Sequence, residues 1–301
     1  MRILNFGSLN IDYVYGVEHF VRPGETISST SFETFCGGKG LNQSIALARC
    51  GAETYHAGAV GNEDGAALLE LLQSCGVHTQ FIKQVASPSG HAIIQVDETG
   101  QNCILLFSGA NHAIDPEFVD SVLEQFGKGD FLLLQNEISS TGYIITQAHR
   151  RGLKIVLNPS PMNEKIIQLP LEYIDYFVLN ELEAADLCRQ AVVDGLADAL
   201  AEKYPHAHIV LTLGKQGVEY RFQGMRLRHG VYTVPVVDTT AAGDTFTGYF
   251  IGALSMGRCV AEALRLASIA SSLSVSRQGA GQSIPWMEEV EQSRLQPELV
   301  F

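Results

Sequence analysis

Long apolar runs are missing from this chain of 301 residues. No stretch of about 18 uncharged apolar residues occurs, which argues against a membrane-spanning helix. Paired cysteines are missing too. Cys36, Cys50, Cys75, Cys103, Cys188 and Cys259 lie scattered without a C-x-x-C pair, and in a chain of this size they read as reduced, mostly buried thiols rather than a disulfide framework. Positive charge is scarce: 20 Lys and Arg face 33 Asp and Glu, a formal net charge of −13. That balance argues against a nucleic-acid or anionic-membrane partner, since both favour basic surfaces. An acidic chain that handles an anion must concentrate positive potential locally, and glycine-rich loops and helix N-termini do so without many lysines. Internal repeats, low-complexity segments and an interdomain linker are also lacking. The opening MRILNFGSLNID meets polar residues almost at once. It reads as a buried strand rather than a secretory leader, so the protein is expected in the cytoplasm.

What remains is an apolar chain, 46% hydrophobic and 18% charged, long enough for one large α/β domain spanning 1–301. The runs ILNFG (3–7), TYHAGAV (54–60), FLLLQ (131–135), KIVLNP (154–159), YFVLN (176–180) and HIVLTLG (208–214) have the composition of strands buried on both faces. Amphipathic segments lie between them: LNQSIALARC (41–50), DGAALLELLQSC (64–75), TGYIITQAHR (141–150), ELEAADLC (181–188) and GLADALAEKY (195–204). Such alternation predicts βαβ crossovers and a doubly wound, mostly parallel sheet with helices on both faces. Asp115-Pro116-Glu117 predicts a capped helix start. Residues 12–36 and 89–107 break the pattern, with short alternating runs, a turn at Thr99-Gly100 and no helix. They predict a small antiparallel sheet outside the main layer, covering a ligand site or meeting a second subunit.

In open α/β sheets ligands bind beyond the carboxyl ends of the strands, so the loops there are the places to look for chemistry. Cys36-Gly37-Gly38-Lys39-Gly40-Leu41-Asn42 opens a helix with backbone that a ligand can approach closely. It is not a Walker A loop, because Gly40 stands where Ser or Thr would hold magnesium, and no G-x-G-x-x-G fingerprint for a dinucleotide exists anywhere in the chain. As a tight strand-to-helix turn it has an equally good structural reading. Asp238-Thr239-Thr240-Ala241-Ala242-Gly243-Asp244 precedes an apolar helix, after the strand-like VYTVPVV. Free N–H groups there could hold a phosphoryl group in flight while Asp244 takes a proton from the attacking hydroxyl; alone, Asp244 is also an ordinary first-turn acid. Asn180 and Glu183 make a normal helix opening and equally could face a magnesium ion on nucleotide phosphates. Thr212 to Gly217 could wrap a nucleotide or simply turn into the strand VEYRF. Ser274 to Ser283 ends the last long helix, where glycine is a common stop. His206 and His208 have no third ligand nearby and are not read as a metal site. Leu68, Leu69, Leu71 and Leu72 are read as the core face of a helix.

Taken together, GSLNID, CGGKGLNQ, LNPSP, VLNELE, LTLGKQG, VDTTAAGDTFTG and VSRQGAGQSIP resemble the landmarks of the ribokinase (PfkB) family of carbohydrate kinases in order and spacing. They cover the chain from residue 7 to residue 285. The resemblance implies a doubly wound α/β domain with a β-sheet lid, the lid being 12–36 and 89–107. It implies that Asp244 is the catalytic base and that Ala241, Ala242 and Gly243 form the anion hole. Asn10, Asp12, Gly38, Lys39, Asn42 and Glu137 match the sugar-holding positions. Asn180, Thr212, Gly214, Lys215, Gly217 and Gly243 match the ATP site, with Glu183 on the magnesium side and Ser268 at a position near the nucleotide. Ser268 departs from the larger polar residue often found near adenine. A potassium site carries over to Asp238, Thr240, Ser274, Arg277, Gly279 and Ser283, largely through main-chain oxygens. The expected activity is phosphorylation of D-ribose at its 5-hydroxyl by ATP-Mg, and a homodimer through the lid is expected, with Ile93, Ile94 and Leu105 suited to the interface. Fructose, deoxyribose or a nucleoside such as adenosine are alternative acceptors, and a non-catalytic sugar sensor is the alternative of a different class. A Rossmann dehydrogenase is disfavoured by the missing fingerprint.

Overall fold

The structure, a computed structural model, describes residues 1–189 and 195–298. The apolar runs become strands because each lies between two helical layers, where every side chain is buried whichever way it points. Eleven strands follow in chain order through the first two thirds: β1 (Ile3–Phe6), β2 (Asn10–Gly16), β3 (Ser31–Gly37), β4 (Thr54–Gly61), β5 (His78–Val85), β6 (Gly90–Val96), β7 (Asn102–Phe107), β8 (Phe131–Leu134), β9 (Lys154–Leu157), β10 (Tyr176–Asn180) and β11 (His208–Thr212). A hairpin, β12 (Val218–Phe222) and β13 (Met225–His229), follows. The main sheet has nine strands in the order β13-β12-β11-β10-β9-β8-β1-β4-β5. All neighbours from β11 to β5 are parallel, and only the terminal hairpin runs antiparallel. The chain winds outward in one direction through β4 and β5 and in the other through β8 to β11. The direction reverses between β1 and β8, and at such a switch point the loops part to leave a crevice.

Side chains alternate across this sheet. Ile3, Phe131, Leu133, Val156, Val178 and Val210 face a core shared with α1 (Lys39–Arg49), α2 (Ala66–Ser74), α7 (Ala242–Ser255) and α8 (Val260–Val275). Leu4, Phe6, Leu132, Leu134, Phe177 and Leu179 face the other core, built with α3 (Pro116–Leu123), α4 (Thr141–Arg151), α5 (Glu181–Cys188) and α6 (Leu196–Lys203). Asp115 caps α3 as its sequence predicts, accepting from the Phe118 N–H at 2.8 Å. Among the described residues no helix is long and apolar enough to cross a membrane.

The second sheet has the order β3-β2-β6-β7 and is drawn from the two segments without helices. It is not antiparallel throughout, as the sequence suggested. β2 pairs with β6 in parallel, Asn10 opposite Gly90 through Gly16 opposite Val96, while β3 and β7 pair antiparallel on the outside. Local alternation predicts strands but carries no information on which distant strand will be the neighbour. Residues 17–30 contain no strand. Two other readings need correction. His78–Val85 is an edge strand that mixed polar composition hid, and VYTVPVV is a strand only at Val231–Tyr232, with its proline and the residues beyond in an irregular segment.

Candidate active site

Two adjoining cavities open at the switch point. One, of about 410 Å³, is lined by Lys39, Asn180, Glu183, Thr212, Gly214, Gly217, Ala241, Ala242, Gly243, Asp244 and Ser268. The other, of about 560 Å³, is lined by Asn10, Asn111, Glu137 and residues of the lid and the loop after β8. The cavities touch at the start of α1, where Lys39 lines the first and its backbone N–H donates to Glu137 Oε2 at 3.1 Å. Thus most residues singled out from the sequence do converge. Asp12, Gly38, Asn42, Lys215 and the six residues expected around a cation lie outside both linings; Lys215 sits on an exposed turn, because the 3₁₀ turn Gly214–Gln216 directs the chain back into β12.

The glycine-rich loop places α1 against β1. Gly38 precedes the helix at φ 95°, in the left-handed region that favours glycine. At Gly40 a Cβ would stand 2.3 Å from the Ser8 backbone nitrogen, so only glycine lets the helix start lie directly on the β1–β2 turn. The Ser8 hydroxyl there donates to Glu137 and accepts from the Gly40 N–H at 3.1 Å. Asp12 lies on β2 over the backbone of Gly37 rather than in a loop, and a Cβ on Gly37 would meet its carboxylate at 2.0 Å.

Asp244 stands in the first turn of α7, preceded by Ala241 at φ 60°. The first N–H groups of such a helix have no intrahelical acceptor and face the cavity with the positive end of the helix dipole. Its carboxylate is 7% exposed and accepts from Asn42 Nδ2 at 3.0 Å and Gln43 Nε2 at 2.8 Å. α7 approaches α1 closely at Gly248, where a Cβ would stand 2.4 Å from that of Ala46. Burial opposes the charge of Lys39, but Asp244, Glu137 and Glu183 outweigh it and raise its pKa. Burial raises the pKa of Glu137, with Ser8 and Lys39 pulling it back, and burial with Glu137 nearby pushes Asp12 up to about 6. The site therefore holds one half-buried cation among several carboxylates.

At α5, Asn180 and Glu183 form a reciprocal cap. Asn180 Oδ1 accepts from the Glu183 N–H at 2.9 Å, and Glu183 Oε2 accepts from the Asn180 N–H at 3.0 Å. One carboxylate oxygen is thereby fixed while the residue still lines the cavity. Asp238 ties together the two loops expected to surround a cation, accepting from the Thr240 N–H at 2.8 Å and the Gly279 N–H at 3.0 Å. Ser274 and Ser283 are buried beside them, their hydroxyls donating to Ser271 and Ala280 carbonyls. The Arg277 side chain turns away to pair with Glu289. Among the described residues no group of three or more His, Cys, Asp or Glu could hold a metal ion, so a cation here would meet carbonyl and hydroxyl oxygens. Such hard oxygen donors suit a hard cation.

With this geometry in place, the comparisons decide the family. The sequence matches the description "pfkB family carbohydrate kinase" over residues 2–287. The chain belongs to the pfkB family of carbohydrate kinases. It is similar to the ribokinase of Bacillus subtilis (strain 168), 38% identical with 95% of this chain and 97% of the relative covered. Among solved structures it is similar to ribokinase from Cryptococcus neoformans var. grubii serotype A in complex with ADP, at 33% identity and TM-score 0.86, covering 97% of this chain and 99% of the other. It is also similar to Arabidopsis thaliana ribokinase complexed with ribose and ATP, at 30% identity and TM-score 0.84, covering 96% and 97%. As a pfkB carbohydrate kinase it is an ATP-dependent sugar kinase with a mostly parallel sheet and a separate smaller one.

Several residues of this kinase site were not singled out from sequence. Gln43 and Asn158 lie behind Asp244, linked by a 2.9 Å hydrogen bond. Asn111 donates to Asn10 Oδ1 at 2.7 Å and accepts from the Leu9 N–H at 3.0 Å, fixing the start of the lid. A signal for Gln43 existed in the run Asn42-Gln43-Ser44, three polar residues among the buried positions of a helix whose other buried positions are apolar. Asn158 sits in the landmark LNPSP without having been given a role. Asn111 had no signal of its own.

Proposed function

We propose that the protein transfers the γ-phosphoryl group of ATP to the 5-hydroxyl of D-ribose, with Asp244 as general base. The observation that carries this reading is the placement of Asp244 in the wall of the first cavity, beside Lys39 and held as an acceptor at the start of α7. ATP occupies the cavity bounded by Asn180, Thr212, Gly214, Gly217, Gly243 and Ser268, and ribose lies towards Asn10, Asp12, Gly38, Asn42 and Glu137 with Lys39 at the junction. Asp244 accepts the hydroxyl proton as the hydroxyl oxygen bonds to the γ-phosphorus. The bond from that phosphorus to the bridging oxygen breaks, and ADP leaves with the electron pair. The N–H groups of Ala241, Ala242 and Gly243 and the Lys39 ammonium balance charge on the phosphoryl oxygens.

Glu183, with one oxygen outside its cap, would face the magnesium that accompanies ATP. Asp238, Thr240, Ser274, Arg277, Gly279 and Ser283 would hold a potassium ion, whose charge would stiffen the loop before α7 and strengthen the anion pocket. Residues 1–301 work as one kinase domain, and the lid segments 12–36 and 89–107 cover the sugar so that water does not compete for the phosphoryl group. Ile93 and Leu105, opposite each other on β6 and β7 and both exposed, support a homodimer across that face of the lid, whereas Ile94 is half-buried and lies on the opposite face.

The test is ADP release from ATP-Mg with D-ribose, 2-deoxyribose, D-fructose and adenosine, each in potassium and in sodium. Ribose-dependent turnover that rises with potassium is expected. Turnover with another acceptor only would discard ribose and keep the kinase. Binding of ribose without turnover on any acceptor would favour a sugar sensor.

A further inference from the structure

Behind Asp244 a chain of buried polar side chains runs from the base along the face of the sheet that α1 covers. Gln43 donates through Nε2 to Asp244 Oδ1 at 2.8 Å and to Asn158 Oδ1 at 2.9 Å, so both its amide hydrogens are used. Its carbonyl accepts from Gln135 Nε2 at 2.6 Å, and Gln135 also donates to Asn5 Oδ1 at 2.9 Å. Asn5 Nδ2 donates to the Gly40 carbonyl at 2.7 Å and to Ser44 Oγ at 2.8 Å. Ser44 lies 2.8 Å from His56 Nδ1, and His56 Nε2 lies 3.2 Å from the Gly7 carbonyl. Gln43, Asn5, Ser44 and His56 are fully buried and Gln135 is 1% exposed.

The direction of every bond in this chain follows from its two ends. Asp244 as a carboxylate can only accept, so Gln43 must present its NH₂ to it and its carbonyl to Gln135. The Gly7 carbonyl likewise can only accept, so His56 carries its proton on Nε2 and takes the Ser44 hydroxyl at Nδ1. That is the neutral form, in keeping with the burial that pushes His56 down to about 4. Turning over any one amide would set donor against donor or carbonyl against carbonyl at two places in a dry interior, where unpaired polar groups are costly.

We infer that Gln43, its amide fixed by Gln135 and Asn5, is a positioning residue that aims the ionised carboxylate of Asp244 at the acceptor hydroxyl. This rests on Asp244 being the base. Gln43 reaches neither the sugar nor the nucleotide cavity linings, so its action is exerted through Asp244. The charged groups facing Asp244 are Lys39 from α1 and Glu137 from the loop after β8, with Glu183 of α5 acting on the Lys39 ammonium. All remain when Gln43 is changed.

The test measures kcat against pH at saturating sugar and ATP-Mg for the full chain, for Q43M, for Q135M and for both together, with D244N in parallel. Q43M keeps the side-chain volume and removes the donors. It should lower kcat about 10- to 100-fold, in the range that small misplacements of reacting groups cost. It should also move the acidic limb about one pH unit upward, because a charge-assisted hydrogen bond to the carboxylate is gone. Sugar and nucleotide dissociation constants should stay unchanged. Q135M should show smaller shifts in the same direction, and the double variant should be no worse than Q43M, since the two act as one unit. A folded Q43M with its acidic limb in place, or additive losses in the double variant, would overturn the inference. If Q43M does not fold, the limb of Q135M decides the matter by the same criterion. Turnover retained by D244N would instead overturn the base itself.

Discussion

The floor beneath Asp244 and the lid above the second cavity are built on opposite terms. In the floor, polar side chains from β1, α1, β4 and the residue after β8 are buried and joined to one another. On the lid, apolar side chains face outward: Phe32, Ile104, Leu105, Leu106 and Phe107 are all at least half exposed, and every residue of β7 is exposed. A polar interior fixes one arrangement of atoms because each donor needs its own acceptor. An apolar surface fixes nothing by itself and leaves room to move or to be covered. The region that performs chemistry is thus determined by direction, and the region that admits the sugar is free to shift.

The most severe way to break the floor is Asp244→Asn, which keeps the shape and removes the base. It should reduce kcat by about 10²- to 10⁴-fold while leaving ATP and sugar binding measurable by calorimetry; near-normal turnover would exclude Asp244 as base. Next in size, Gly40→Ala pushes a methyl into the β1–β2 turn. Overpacking of this kind costs about 1–3 kcal/mol, and the melting temperature should fall by several degrees. An unchanged melting temperature would mean that the helix start yields freely, against the picture of a rigid floor. On the lid, Leu105→Asp should split the expected dimer on size-exclusion chromatography without changing the melting temperature of the main sheet, since exposed substitutions move stability by about 0.5 kcal/mol or less.

The smallest effect sharpens the boundary between the two regions. Asp12 sits on the lid strand with its pKa pushed up to about 6 by burial and by Glu137. Its charged form is disfavoured in the folded protein, so its burden on stability is absent below the unfolded value and grows as pH rises to about 6. Asp12→Asn should therefore raise the melting temperature at pH 7.5 by about 2–4 °C, a gain that vanishes near pH 4. The same change should weaken ribose binding above pH 6, where the carboxylate accepts from sugar hydroxyls. A stability gain that persists at pH 4 would assign the effect to something other than this carboxylate.

Much of this architecture could be read in advance where the physics is local. Runs such as FLLLQ and YFVLN had to be strands between two layers, and Asp115-Pro116 had to start a helix. The landmarks around Gly38 and Asp244 placed both sides of the cleft. The lost parts depend on distant partners. His78–Val85 is an edge strand whose polar faces imitate a loop, and the parallel pairing of β2 with β6 leaves no trace in either strand. Gln43, Gln135 and Asn5 each look unremarkable alone; their meaning comes from three elements meeting at one buried point. Lys215 stands on an exposed turn for the converse reason, since a loop motif locates a backbone turn but not the direction of a side chain on it.

The parallel pairing of β2 with β6 has a consequence for how the molecule can be assembled and altered. The two strands that form the centre of the small sheet are separated in the chain by β3, α1, β4, α2 and β5, and two of those elements, β4 and β5, are strands of the main sheet. The small sheet is therefore stitched through its neighbour rather than inserted into it. It cannot be cut out or exchanged as one continuous cassette, and closing its centre joins strands far apart in the chain, at a higher loop-closure cost than the local pairing of β2 with β3.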